Sequence, residues 1–277
     1  MGLGLEYQNI SLEIFPFVKE KNNVALSNNI KIFENIGLKF ISVTYGASGS
    51  IQNNTLSLLT KISKKTSLNL AAHLTCVNSN QHFIKKILNY YWSNNIKNIV
   101  ALGGDRPKVS IRSDYNYAYQ LVKDVKENNK VNISVAFHPG GHPNDKDIVK
   151  EINNLKIKFD YGADQGISQF FFNADHFIKF RDKINKKHPH IKLIPGIILI
   201  SNFEMIERFA LKCKTHIPEK DRKLFNSTKD NKNVSDKISI EHAYNLCLKL
   251  KSEGITDFHI YTLNKFPMTL KLLKMLK

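Results

Sequence analysis

Short apolar runs along this chain alternate with segments whose apolar residues recur every three or four positions. The runs occupy residues 11–16, 39–45, 68–75, 98–102, 132–137, 166–172, 192–198 and 256–263, and each has the length and β-branched content of a strand. Ile99, Val100 and Ala101 are apolar on both faces of theirs, as in a parallel sheet covered by helices. Between the runs, Ile30, Phe33 and Ile36, then Leu56, Leu59 and Ile62, then Phe83, Ile84, Ile87, Leu88 and Tyr91 follow the helical period. Further helical stretches fall at 118–125, 147–159, 177–184, 203–211 and 240–250. Ser113 and Asp114 are expected to cap the fourth helix and Asn144 the fifth, and Gly37, Gly162 and Gly254 to end helices.

Eight strand–helix units in 277 residues predict an α/β fold, a (β/α)8 TIM barrel forming a single domain over residues 1–277. No G-x-G-x-x-G follows the first strand, which weakens a dinucleotide-fold alternative. Residues 214–237 break the rhythm; a short helix around 221–225 followed by an exposed loop is expected there, and a final short helix over 268–276.

Composition changes this picture little. With 42% hydrophobic residues the chain can bury a large core. Cys76, Cys213 and Cys247 are odd in number and form no C-x-x-C pair, so neither a disulfide framework nor a metal site is expected, and a reducing cytoplasm fits. No basic segment followed by an apolar run opens the sequence and no stretch approaches ~18 uncharged apolar residues, so no membrane association is expected. The formal charge of +17 comes from 41 basic residues of which only five are arginine, spread along the helices rather than clustered. That distribution speaks against nucleic acid and for small anionic ligands.

Polar residues gather at the ends of the runs: Glu13, Thr44, Tyr45, His73, Thr75, Asp105, His138, Gln169, Tyr261 and Asn264. In a closed barrel, strand ends line one mouth. Glu13 lies among Leu12, Ile14 and Phe15, and desolvation by such neighbours favours the protonated form that a general acid needs. Asp105 follows Gly103 and Gly104, whose bare backbone allows close approach of a flat ring system.

Seven motifs then carry a resemblance: Ser-Leu-Glu-Ile-Phe-Pro (11–16), Phe-Ile-Ser-Val-Thr-Tyr-Gly-Ala (40–47), Ala-His-Leu-Thr-Cys (72–76), Asn-Ile-Val-Ala-Leu-Gly-Gly-Asp (98–105), Gly-Ile-Ser-Gln-Phe-Phe-Phe-Asn (166–173), Ile-Pro-Gly-Ile (194–197) and Asp-Phe-His-Ile-Tyr-Thr-Leu-Asn (257–264). In this order they resemble bacterial methylenetetrahydrofolate reductase. The resemblance implies bound FAD on a barrel, NADH as co-substrate in a ping-pong cycle, and reduction of 5,10-methylenetetrahydrofolate to 5-methyltetrahydrofolate, which supplies methyl groups for methionine synthesis. It implies Glu13 and Asp105 as catalytic residues, Glu13 protonating folate N10 so that the opened iminium carbon accepts hydride from the flavin. For FAD it implies Thr44, Tyr45, His73, Gly103, Gly104, Asp105, Tyr117, Ala118, His138, His142, Glu151, Asn154 and Lys158, with Lys158 as a phosphate partner. For the folate it implies Asp105, Gln169, Phe209, Tyr261 and Lys265, and for NADH Thr44, Gln169 and Phe209. Cytoplasmic location and homo-oligomeric assembly go with the same resemblance.

The chain departs from the family pattern at several of these places. Gly103 and Ile157 stand where arginines are usual, His138 for a tyrosine, Glu151 for an aspartate, Phe17 for a proline and Met205 for a glutamine. Lys265 replaces an arginine, keeping charge but losing the bidentate fork. The lost cations predict weaker FAD retention. Two further readings stay open: a pterin-binding barrel without flavin, such as a methyltransferase, and a decayed, non-catalytic folate-binding barrel.

Overall fold

The computed structural model describes residues 7–17, 20–45, 49–77, 79–104, 113–128, 131–200 and 202–277. In chain order the elements are β1 (Ile10–Ile14), α1 (Glu20–Asn29), β2 (Phe40–Val43), α2 (Gly49–Lys65), β3 (Leu70–Thr75), α3 (Gln81–Ser93), β4 (Asn98–Leu102), α4 (Ala118–Asn128), β5 (Asn132–Phe137), α5 (Ile148–Asp160), β6 (Gln165–Ser168), α6 (Ala174–Lys187), β7 (Leu193–Ile194), β8 (Gly196–Ile198), α7 (Phe203–Lys212), α8 (Glu219–Asn226), α9 (Lys232–Ser252), β9 (Phe258–Tyr261) and α10 (Phe266–Leu276). A 3-10 turn, Ile30–Phe33, continues α1. This is the α/β, TIM-barrel class of fold expected from the hydrophobic pattern.

Backbone packing divides the chain into two compact units, Met1–Ala136 with Asn154–Gly166, and Phe137–Asn153 with Ile167–Lys277. In the first, β1 to β5 pair in chain order and every pair is parallel, with Glu13 opposite Ser42 and His73 opposite Val100. Its sheet is buried on both faces: Leu12, Ile14, Ile41, Val43, Ile99, Ala101, Ile133 and Val135 are fully enclosed on one, and Ser42, His73, Val100 and Ser134 are buried on the other. In the second unit β8 runs parallel to β9, and Phe170, Phe172, Ile198, Ile200, Phe203, Ile206 and Phe225 share one apolar cluster.

Several helices start on asparagine. The side chains of Asn80, Asn173, Asn202 and Asn231 accept from the amides of Phe83, Asp175, Met205 and Val234 and so cap α3, α6, α7 and α9. Gly37, Gly162 and Gly254 follow helical segments with φ of 73°, 109° and 77°, the left-handed stop expected of them.

The structure corrects five expectations. Asp114 does not cap the fourth helix: its carboxylate accepts from Gln81 N–H at 3.0 Å, at the start of α3, and Ser113 Oγ bonds the carbonyls of Cys76 and Ser79. The amides before α4 are met by Gln120 Oε1. At α5 the cap is Asp147, which accepts from Val149 and Lys150, not Asn144. The run 192–198 is two short strands, because Pro195 has no N–H for the ladder while its carbonyl accepts from His259. Among the described residues there are therefore nine strands.

Residues 232–237, expected in an exposed loop, are the first turns of α9. The polar composition that suggests a loop is that helix's solvent side, with Lys232–Asp236 and Lys237–Glu241 paired at i,i+4. Its buried side begins with Ser235 and Ser239 instead of large apolar residues, and Ser239 Oγ accepts from Ile200 N–H at 2.7 Å. The sixth run also ends early, at Ser168 rather than 172. Gln169 turns its own Oε1 onto Phe170 N–H at 2.9 Å and takes that donor off the ladder.

Candidate active site

In the first unit Glu13 sits on β1 with Leu12 and Ile14 on either side in sequence. Strand alternation turns those two side chains to the opposite face, so they are not what surrounds the carboxylate. One of its contacts is the imidazole of His73 on β3, Nε2 to Oε2 at 3.5 Å, with the His73 side chain 6% and the Glu13 side chain 22% exposed. A carboxylate and an imidazole this close form a charge pair whenever the ring is protonated, and together they can hold one proton at the end of the sheet. His73, expected among the cofactor residues, is thus the partner of the expected acid.

Thr44 directly follows β2. Its N–H donates to Ile14 O at 3.0 Å and its carbonyl accepts from Thr55 Oγ1 at 2.9 Å, so its backbone is committed in both directions. The Tyr45 phenol is buried, and among the described residues its hydroxyl has no hydrogen-bond partner. Burial pushes its pKa well up, and burial followed by the nearby Tyr45 does the same to Tyr91 on α3.

Gly103 and Gly104 follow β4. A Cβ on Gly103 would meet nothing within 4 Å, whereas Gly104 has φ +78° and a Cβ there would lie 3.0 Å from Val77 Cγ2. Asp105 lies outside the described residues. Tyr117, 61% exposed, immediately precedes α4, which begins at Ala118. On α5, Asn154 is exposed, and Lys158 Nζ donates to Ala136 O near the carboxyl end of β5 at 2.8 Å. Lys158 is not a freely solvated helix lysine; its ammonium is delivered to a strand end.

In the second unit the Glu151 carboxylate is buried, 3% exposed, and accepts from His138 N–H at 2.8 Å while lying 3.5 Å from that ring's Nδ1. The His142 ring meets His138 edge-on at 5.1 Å, and its Nδ1 accepts from Asn144 N–H. That bond leaves Nε2 to carry the proton of a neutral ring. His138, His142 and Glu151 are thus one cluster.

A second cluster forms around Gln169. Its Nε2 donates to Cys213 Sγ at 3.2 Å, beside the carboxyl end of α7. Phe209 is one helical turn earlier, i to i+4 from Cys213, with its ring 37% exposed. An aromatic face and an oriented carboxamide on one side of the fold suit a flat heterocycle with hydrogen-bonding edges. Cys213 is the member that sequence reasoning missed, although its spacing from Phe209 was visible once α7 was placed.

Tyr261 is held at both ends. Its hydroxyl donates to Ser168 O at 2.8 Å, and its ring lies where a Cβ on Gly196 would come within 2.5 Å. It anchors the backbone next to Gln169. After β9, Leu263 and Asn264 take φ of 48° and 58°, a left-handed turn that non-glycine residues adopt at a cost, and it sets the exposed Lys265 at the start of α10.

The family pattern described as methylenetetrahydrofolate reductase matches residues 4–277. The 5,10-methylenetetrahydrofolate reductase of Buchnera aphidicola subsp. Acyrthosiphon pisum is 38% identical over 261 residues, covering 92% of this chain and 88% of that protein. The Escherichia coli K12 reductase of the same name is 36% identical over 261 residues, covering 94% and 88%. Among solved structures, an uncharacterised Clostridium thermocellum protein that binds two copies of 5-methyl-5,6,7,8-tetrahydrofolic acid superposes with TM-score 0.66 over 99% of this chain and 95% of that one, at 14% identity, which speaks for the fold alone. With the family pattern matched from residue 4 to residue 277 and relatives above a third identical over nine-tenths of its length, this chain belongs to the methylenetetrahydrofolate reductase family.

Proposed function

We propose that this member of the family reduces 5,10-methylenetetrahydrofolate with bound FAD as cofactor and NADH as the reductant, in a ping-pong cycle. The donor set fits such a group: the Lys158 ammonium suits a pyrophosphate, and the exposed Tyr117 ring suits a flat base. When bound, FAD supplies hydride transfer between nicotinamide and folate.

The protein's own part is to hold the folate and move one proton. The observation that carries the reading is the Glu13–His73 pair. The Glu13 carboxyl group delivers a proton to folate N10 as the five-membered ring opens, with His73 beside it. The Gln169 carboxamide hydrogen-bonds the pterin or the nicotinamide in turn, Phe209 stacks on whichever is present, and the Lys265 ammonium pairs with the folate carboxylates. Action as a single cytoplasmic catalytic domain, homo-oligomeric assembly and supply of methyl groups for methionine belong to the same proposal.

Anaerobic mixing with NADH tests it. The purified protein is expected to carry a flavin spectrum that NADH bleaches and methylenetetrahydrofolate restores. Glu13→Gln is expected to bleach at an undiminished rate and to slow reoxidation by folate about a hundredfold or more, the usual scale of a lost general acid. Bound flavin that NADH leaves oxidised overturns the reading and favours a decayed binding protein, for which the missing cations at Gly103 and Ile157 speak.

A further inference from the structure

The Gln169 carboxamide is held at both ends. Its Oε1 accepts from Phe170 N–H at 2.9 Å, and its Nε2 donates to Cys213 Sγ at 3.2 Å. A backbone N–H can only donate, so the oxygen must be the end that meets Phe170; the nitrogen then faces the sulfur, which is the acceptor. The Phe170 bond alone leaves the carboxamide free to pivot about its oxygen. The sulfur supplies the second point that fixes its plane.

The end of α7 keeps that sulfur in place. Cys213 is the C-cap of the helix, with its N–H bonded to Phe209 O at 2.9 Å. The N–H groups of Lys214 and Thr215 return to Leu211 O and Ala210 O at 3.2 and 2.8 Å, a Schellman ending whose left-handed position, φ 48°, is taken by Lys214 where glycine is usual. Lys146, from the segment between β5 and α5, donates its Nζ to the Lys214 carbonyl at 2.6 Å and pins the turn.

We propose that Cys213 is a positioning residue for the reduction, orienting the Gln169 carboxamide for the nicotinamide and the pterin in turn, an inference that rests on the proposed function. A carboxamide has two N–H donors and two oxygen lone pairs. With one of each engaged by Cys213 and Phe170, one donor and one acceptor remain. The lactam of a pterin and the carboxamide of a nicotinamide both present an N–H beside a C=O, so the same remaining pair answers either ligand. Loosening the carboxamide therefore weakens both, while flavin retention does not pass through it. Cys213 also packs against the apolar cluster of the second unit. Packing and positioning rank its replacements in opposite order: alanine is the better apolar filler, and serine keeps an acceptor.

Stopped-flow half-reactions of the FAD-loaded protein separate the two roles. In Cys213→Ala the apparent dissociation constants for NADH in flavin reduction and for methylenetetrahydrofolate in flavin reoxidation are each expected to rise about three- to tenfold, the scale of one neutral hydrogen bond, with FAD affinity unchanged. Cys213→Ser is expected to stay within about twofold of the parent for both ligands, because the hydroxyl still accepts. In a Gln169→Ala background the Cys213→Ala change is expected to add nothing, since its effect passes through the carboxamide. Thermal melts of each variant check that it is folded. A parent-like Ala variant, a loss confined to one ligand, a Ser variant as weak as Ala, or an equal loss with and without Gln169 overturns the positioning role while leaving the reductase reading intact. A parent protein whose bound flavin NADH does not reduce overturns both.

Discussion

Gly103 and Gly104 are adjacent and carry opposite constraints. Gly104 is a glycine by necessity: at φ +78° a side chain is strained, and its Cβ would press on Val77 and Thr75. A Cβ on Gly103 meets nothing within 4 Å among the described residues, so the first atom of the arginine expected there from the resemblance has space. Restoring it is the direct test. Gly103→Arg is expected to lower the FAD dissociation constant about tenfold, the value of a charged hydrogen bond, without loss of melting temperature, while Gly104→Ala costs ~1–3 kcal/mol in urea unfolding. A Gly103→Arg protein with unaltered FAD affinity removes the idea that the missing cation matters. At this scale the sequence was read well where chemistry follows from residue type and less well where it follows from direction. Glu13 stands out from its run by being charged, but its sequence neighbours point away from it and its real partner comes from a strand two places on. Nothing in the spacing of Glu13 and His73 announces that pairing. Cys213 reads as an unpaired thiol in the sequence, because its hydrogen bond is to a carboxamide 44 residues away.

The elements were largely legible because apolar period and turn residues agree along most of the chain. They failed where a polar residue serves the backbone instead of the solvent. Asparagine is the clearest case: its abundance reads as compositional drift, yet Asn80, Asn173, Asn202 and Asn231 each satisfy an otherwise unpaired helix amide. Asn80→Ala is expected to cost about 1 kcal/mol in denaturant unfolding and Asn80→Asp to leave stability within a few tenths of the parent, because aspartate caps as well. Equal losses in the two would mean that the Asn80 amide nitrogen, not the capping oxygen, is what the structure needs. The same cause hid the start of α9. Ser235 and Ser239 face inward, so the amphipathic signal that a buried stripe of leucines would give is missing over just those turns.

At the scale of the whole chain the dominant quantity is a formal charge of +17, and it has two consequences of opposite sign in salt. The acidic residues that are present are largely used in exposed pairs such as Lys123–Glu127, Lys249–Glu253 and Lys126–Asp164, each worth about 0–1 kcal/mol. Too few remain to offset the surplus of lysine, so like-charge repulsion outweighs attraction and opposes folding. Screening relieves that repulsion as the Debye length falls from ~10 Å at 0.1 M to ~3 Å at 1 M, and melting temperature is expected to rise with sodium chloride over that range. The same field draws anions towards the protein, and both the dinucleotide reductant and the folate substrate of the proposed reaction are anionic. Their association is steered by it, so KM for each is expected to rise over the interval in which stability improves, with kcat nearly constant. The two measurements separate the explanations of the charge. A melting temperature that falls with salt would mean that the surface pairs, not the net charge, govern stability. A KM indifferent to salt would mean that the surplus lysines act on neither substrate and that the local cations, Lys158 and Lys265, carry anion recognition alone.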